Sequence, residues 1–218
     1  MNQRSTANLQ PRRGVRVHAF LVVATHWLNA FAMVCMIMSG WKIYDASPLF
    51  DFSFPAWATL GGWLGGAIAW HFAAMWLLVS NGLVYVGYGL MSQHFRRDLL
   101  PLRPGEILSD ARDAARFRLR HRVGEYNAVQ RVAYVGVLTL GVLAVASGLA
   151  LWKPVQLQAL TSLFGGYEVA RRIHFAVMVG IVGFILLHLV LVLLVPRTLP
   201  SMITGRARLP AISERSSP

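Results

Sequence analysis

Four long stretches of the chain contain no Asp, Glu, Lys or Arg, and they run over residues 17–41, 52–95, 132–152 and 173–196. Each reaches or exceeds the roughly 20 residues that a helix needs to cross the hydrocarbon core of a bilayer. A water-soluble domain has no use for four such runs, so the sequence predicts an all-α integral membrane four-helix bundle. The second run is the longest, and we expect its span to begin after Pro55 with the segment GGWLGG projecting beyond the membrane.

The basic residues are distributed unevenly around these runs. The chain has 21 Lys and Arg against 9 Asp and Glu, a net charge of +12. The only Lys and Arg residues in the first and third loops are Lys42, Lys153, Arg171 and Arg172. Because basic residues collect on the side that is not translocated, we expect both termini and the middle loop to be cytoplasmic. The positive charge then reflects topology and attraction to anionic headgroups, not nucleic-acid binding.

The chain divides into three segments, with no internal repeat or second domain visible. We expect a disordered basic arm over residues 1–16, the bundle over 17–197 and a disordered cytoplasmic tail over 198–218. The only cysteine, Cys35, lies in the first run, which excludes an internal disulfide and supports neither a zinc site nor an iron–sulfur cluster. A helical stripe in the middle loop predicts a short amphipathic helix at the membrane surface (Ile107, Leu108, Ala111, Ala115 and Leu119).

Four histidines fall inside the predicted spans, where ionisable side chains are uncommon and usually functional. His174 and His188 are fourteen residues apart, so they face nearly the same way, about 21 Å apart along the helix axis. Judged by distance from the ends of the spans, His26 lies at the depth of His188, near the cytoplasm. His71 lies at the depth of His174, near the opposite surface. We name His26 with His188 the inner pair and His71 with His174 the outer pair.

Two imidazoles on facing helices can bind a haem iron from both sides, which leaves no open coordination position and favours electron transfer. The alternative is that each histidine is hydrogen-bonded to a neighbouring helix and binds no cofactor. Four histidines on three spans, matched in depth, favour two haems. Several glycines near the histidines are candidates for making room for the macrocycles (Gly40, Gly65, Gly66, Gly148, Gly180 and Gly183).

The histidine pattern, with the segment HFAVMVGIVGFILLH in the fourth span and no histidine in the third, resembles a known family. This family is the di-haem cytochrome b subunits of membrane-bound respiratory oxidoreductases. It includes the gamma subunit of formate dehydrogenase, the cytochrome b of nickel–iron hydrogenase, the thiosulfate reductase cytochrome b and bacterial cytochrome b561. The resemblance covers residues 17–197. It implies a multi-pass protein of the bacterial cytoplasmic (inner) membrane that binds two haem b, one at His26 and His188 and one at His71 and His174.

A second motif, GEYNAVQRVAYVG, opens the third span on the expected cytoplasmic side. It is similar to the family's Tyr-Asn-x-x-Gln-Lys/Arg stretch, and the resemblance implies that Asn127 lines a quinone pocket beside the inner haem. Asn127 and Gln130 are three residues apart and so share one helix face. Polar side chains in an apolar slot suit the carbonyls of a quinone. The alternative is that Asn127 caps the helix and Arg131 marks the interface.

The favoured interpretation is a membrane anchor that carries electrons between a periplasmic catalytic subunit and the pool of ubiquinone or menaquinone. The resemblance implies a molybdenum-dependent oxidoreductase or a hydrogenase-like complex as that subunit. Arg171 and Arg172 lie one turn outside His174, where they can pair with haem propionates or with the partner, or anchor the interface. The rival is a stand-alone superoxide:quinone oxidoreductase, and a third reading is a haemless transporter. Aromatic residues in the first loop favour docking of a partner (Tyr44, Phe50, Phe52, Phe54 and Trp57).

Overall fold

The computed structural model describes residues 15–16, 19–91, 103–115, 128–194 and 199–207. In chain order the helices are α1 (Phe20–Ala46), α2 (Leu64–Met91), α3 (Pro104–Ala115), α4 (Ala128–Trp152), α5 (Gln158–Leu163), α6 (Tyr167–Leu194) and α7 (Leu199–Thr204). Four of them, α1, α2, α4 and α6, are long and apolar enough to cross a membrane. The prediction of an all-α chain with four membrane-length helices is confirmed.

Two of the long helices begin at places that the charge-free runs did not mark. The first glycine pair of GGWLGG forms a turn, in which Gly61 and Gly62 have φ of 109° and 71°, and only the second pair lies inside α2. Helix α6 likewise follows a glycine pair of positive φ and starts at Tyr167, before the charge-free run. The left-handed backbone at both turns suits glycine, because a Cβ is strained there. Each turn fixes where the following helix starts.

The four long helices pack as two pairs, α1 with α2 and α4 with α6, and contacts between the pairs are far fewer. Fully buried side chains on these helices are small, which lets the backbones approach closely (Ala32, Ser39, Ala67, Ser147, Ala150 and Ala170). A cavity of about 190 Å³ lies between the pairs, and apolar side chains of α1 and α6 line it (Val34, Ile37, Met38, Trp41, Val182, Ile185 and Leu186). The bundle therefore has a gap along the contact between its halves.

Short elements lie at the ends of the bundle. Helix α3 carries most of the stripe predicted in the middle loop, while Leu119 lies outside the described residues. A two-residue strand, Val15–Arg16, pairs antiparallel with Arg206–Ala207. The indole Nε1 of Trp27 donates to the carbonyl of Met202 at 2.9 Å, which joins α7 to α1. The arm and the tail, which we expected to be disordered, thus contain elements of secondary structure. Backbone pairing joins the arm to the tail, and the Trp27 hydrogen bond joins the tail to α1.

Candidate cofactor sites between the helix pairs

The structure brings the four span histidines together in two pairs, each of which bridges the gap between the halves of the bundle. His71 on α2 and His174 on α6 have ring centroids 6.5 Å apart, with ring planes 70° to each other. His26 on α1 and His188 on α6 have centroids 6.2 Å apart, with planes at 60°. These are the outer and inner pairs that the depth of the residues in the sequence predicted.

Both separations fit two axial ligands of one metal. With metal–nitrogen bonds of about 2 Å and ring centres about 1.1 Å behind the nitrogens, the centroids of two opposed imidazoles lie roughly 6.3 Å apart. Among the described residues there is no group of three or more His, Cys, Asp or Glu side chains placed to bind a metal ion. Two protein ligands suffice when a macrocycle supplies the other four, so the residues at both pairs fit haem.

The two sites are separated along α6. His174 is the eighth residue of that helix and His188 the twenty-second. Fourteen residues at the helical rise place them about 21 Å apart along the axis. The apolar cavity between α1 and α6 is lined in part by Val182 and Ile185, which lie between the two histidines in sequence. One helix thus supplies a histidine to each pair and holds their spacing.

Each histidine of the outer pair contacts a serine on the neighbouring helix of its own half. The Oγ of Ser39 on α1 lies 3.0 Å from Nδ1 of His71, and the Oγ of Ser147 on α4 lies 2.9 Å from Nδ1 of His174. Neither serine was predicted from the sequence to contact a histidine. The available signal was the dipeptide Ser-Gly, which occurs once in each of the two spans, α1 and α4, that supply no histidine to the outer pair.

Aromatic side chains surround the inner pair. The ring of Phe184 stacks on His188 at 6.2 Å with planes 12° apart, and Trp27 meets His26 edge-on at 5.5 Å. Because Trp27 also donates to the carbonyl of Met202, α7 lies beside this site. Contacts from the tail therefore reach the inner pair, a connection that the span pattern alone does not reveal.

Four of the five aromatic residues that we expected to dock a partner pack together above the outer pair. Tyr44 is buried, and its ring lies 5.1 Å from Phe52 and 5.2 Å from Phe175, the residue after His174. Phe50 and Phe54 belong to the same cluster. Trp57 is 83% exposed. The four aromatic residues of the first loop and α1 therefore pack with Phe175 at this end of the bundle, while Trp57 keeps most of its surface free.

Arg171 has a structural use at the same end. Its guanidinium donates to the carbonyl and to Oγ of Ser47 and lies 3.6 Å from Glu168. These contacts tie the loop after α1 to the start of α6. Arg172 is exposed.

The two residues of the expected quinone pocket lie at the start of α4. Gln130 is half-buried in the first turn, and Asn127 lies outside the described residues. The backbone N–H of Ala128 donates to Asp110 of α3 at 2.7 Å. A carboxylate from α3 therefore satisfies one of the free donors at this helix end.

Residues 17–205 match the family described as prokaryotic cytochrome b561. A protein of Azospira oryzae named "Putative protein-methionine-sulfoxide reductase subunit YedZ1" is 48% identical over 190 residues, which cover 87% of this chain and 96% of that protein.

Proposed function

This chain belongs to the prokaryotic cytochrome b561 family, and from that premise we propose that it is the electron-transfer subunit of a membrane-bound reductase. It would connect the quinone pool with a periplasmic catalytic subunit through two bis-histidine haem b sites. The observation that supports this most is the pair of ring separations, 6.5 Å and 6.2 Å, at two depths along α6. The family resemblance found in the sequence is confirmed.

The chain's own residues provide the binding and the path. When bound, a haem at each pair supplies a one-electron carrier with no open coordination position. We assign His71 and His174 to the outer haem, and His26 and His188 to the inner one. Apolar side chains of α1 and α6 line the cavity that lies along α6 between the two pairs. Arg171 and Arg172, just outside His174, are our proposed contacts for the anionic propionates of the outer haem.

We propose that both termini face the cytoplasm of a bacterial cell and that the protein lies in the inner membrane. All but four of the 21 Lys and Arg residues fall on the side of the termini and of α3. Basic segments stay on the cytoplasmic side during insertion. The outer pair then lies near the periplasm, and the inner pair lies near the cytoplasmic surface, on the side of the bundle where α4 has its first turn.

The quinone site that we propose is at this first turn of α4. Asn127 and Gln130 would donate to the carbonyls of ubiquinone or menaquinone in an apolar slot beside the inner pair. The carboxylate of Asp110 already binds the N–H of Ala128. This contact holds the start of α4 against α3, beside the residues that we propose as quinone ligands.

We infer that the partner reduces methionine sulfoxide. The Azospira relative is named as a subunit of a protein-methionine-sulfoxide reductase, and the resemblance implies a molybdenum-dependent oxidoreductase as catalytic subunit. Reduction of a sulfoxide to a sulfide consumes two electrons and two protons and releases water. Electrons therefore flow from quinol, through this chain, to the periplasm. A relative named as a subunit favours this reading over a stand-alone superoxide:quinone oxidoreductase.

The test uses the purified full-length chain in liposomes. Addition of menadiol should produce the reduced α-band of b-type haem, and Asn127→Leu should slow this reduction while leaving haem content unchanged. Addition of the co-purified catalytic subunit with methionine sulfoxide should then reoxidise the band. Absence of reduction by any quinol contradicts the proposal. Faster reduction by superoxide than by quinol supports the stand-alone alternative.

A further inference from the structure

Ser39 and Gly40 on α1 hold one edge of the His71 ring. Ser39 is fully buried, and its Oγ lies 3.0 Å from Nδ1 of His71. A Cβ added at Gly40 would lie 3.3 Å from Cε1 of the same ring and 3.7 Å from Nδ1. The hydroxyl fixes the position of one ring atom, and the absent side chain of the glycine leaves room for the next. Rotation of the ring would either break its contact with Ser39 or bring the ring against Gly40.

Ser147 and Gly148 on α4 hold the ring of His174 in the same way. Ser147 is fully buried, and its Oγ lies 2.9 Å from Nδ1 of His174. A Cβ added at Gly148 would lie 3.3 Å from Cε1 and 3.7 Å from Nδ1. The two arrangements agree in every distance to within 0.1 Å.

The agreement extends to the register of the helices. Ser39 is the twentieth residue of α1 and Ser147 the twentieth of α4, while His71 and His174 are each the eighth residue of α2 and α6. The two halves of the bundle therefore carry the same serine–glycine–histidine arrangement at equivalent helix positions. This repeat is invisible in the sequence because little besides the Ser-Gly dipeptides and the histidines is shared.

The direction of the hydrogen bond follows from the serine's other contacts. The Oγ of Ser39 lies 2.5 Å from the carbonyl oxygen of Cys35, and the Oγ of Ser147 lies 2.6 Å from that of Leu143. Two oxygens this close repel unless a proton lies between them, so each hydroxyl donates its only hydrogen to the carbonyl. The hydroxyl oxygen must then accept from the ring. Both histidines are therefore protonated on Nδ1, which leaves the lone pair on Nε2.

We propose that Ser39–Gly40 and Ser147–Gly148 form a duplicated clamp that fixes the tautomer and the ring plane of both outer histidines and thereby sets the reduction potential of the outer haem. The proposal rests on the proposed function. An acceptor on the distal N–H of a ligating histidine orients the ring and makes it a more basic ligand. A more basic ligand stabilises ferric over ferrous iron, so the serines lower the potential. They are positioning residues, since they act through the histidines.

The test is a potentiometric titration of the α-bands in Ser39→Ala, Ser147→Ala and the double variant. We expect each single change to shift the ferric–ferrous equilibrium of the outer haem toward ferrous by up to about tenfold. This corresponds to a rise of up to about 59 mV for a one-electron couple. The double variant should show about the sum, because the serines act on opposite ligands. The potential of the inner haem should stay constant.

The matched control is Thr139→Ala on α4. Its hydroxyl also donates to the carbonyl four residues earlier, at 2.8 Å, but it is exposed and its bond does not involve a histidine. Neither potential should move in this variant. Electron paramagnetic resonance of the ferric protein gives a second readout. The outer haem should show the strongly anisotropic low-spin signal of steeply inclined axial rings, and the serine variants should alter it.

Hydroxyl-retaining variants, Ser39→Thr and Ser147→Thr, separate the acceptor from simple packing. Wild-type potentials in the threonine variants support the clamp. So does an outer haem that is lost in the alanine variants but retained in the threonine variants. The clamp is overturned if alanine variants that bind both haems keep the wild-type potential of the outer haem. It is also overturned if the threonine variants lose the outer haem as the alanine variants do. Absence of haem from the unaltered protein would instead refute the proposed function, so the two failures are distinct.

Discussion

Replacement of Asn81 tests the packing of α1 on α2 most sharply. Asn81 is 8% exposed, and its Nδ2 donates to the carbonyl of Thr25 and to Oδ1 of Asn29, both at 2.8 Å. Hydrogen bonds between membrane helices average about 0.6 kcal/mol and reach about 1.7 kcal/mol. Asn81→Leu keeps the branched shape of the side chain and removes both bonds. We therefore expect it to lower the free energy of unfolding by about 1–3 kcal/mol.

The assay is unfolding by sodium dodecyl sulfate in bicelles, followed by tryptophan fluorescence. Asn81→Asp should be less stable than Asn81→Leu, because an oxygen then replaces the donor and faces two acceptor oxygens. Ser80→Ala, at the exposed neighbouring position, is the control and should match the parent. Since Thr25 precedes His26, haem should leave the inner site first. An Asn81→Leu protein as stable as the parent, or an Asp variant that ranks above it, refutes this reasoning.

Two further perturbations address a ligand and a loop. His188→Ala should abolish the inner haem and quinone turnover while leaving one haem per chain by pyridine haemochrome assay; two retained haems would overturn the assignment of the pairs. Arg171→Gln removes the charged donor to Ser47, which holds the loop over residues 47–63. The loop should then open more often, and chymotrypsin should cut it about fivefold faster, as expected if its closed state loses about 1 kcal/mol of stability. Arg172→Gln removes the same charge from an exposed position and should leave the rate unchanged; equal rates in the two variants would contradict the proposed role of Arg171.

The spans and the pairing of the histidines could be predicted because both follow from one-dimensional quantities. The length of a charge-free run can be compared directly with the thickness of the bilayer. The helical rise likewise gives the difference in depth between His174 and His188, which are fourteen residues apart. The resulting pairs are those that the structure brings together, at 6.5 Å and 6.2 Å. The glycine turns before α2 and α6 were harder to place. Apolar residues continue through the start of α2, whereas α6 begins with charged residues, Glu168, Arg171 and Arg172, that lie outside the charge-free run.

The serine contacts and the tail escaped prediction for a different reason. A serine in a span normally satisfies its hydroxyl on its own helix, and Ser39 does so at the carbonyl of Cys35. Its second use, as an acceptor from His71, depends on how α1 packs against α2. Likewise, helix α7 is too short to show a periodic pattern, and it is joined to α1 by one bond from Trp27. Among the six glycines considered for the macrocycles, Gly40 and Gly148 instead make room for the histidine rings.

The count of haem b per polypeptide in the purified protein tests the central claim most directly. Pyridine haemochrome absorbance with amino-acid analysis gives the ratio, and the ferric and ferrous spectra report the spin state. We predict two haems per chain, both low-spin and unreactive toward carbon monoxide, because in our assignment two histidines bind each iron and leave no open coordination position. A helical, monodisperse preparation that contains no haem after expression with ample haem supply, or one that contains a single high-spin haem, would contradict the account.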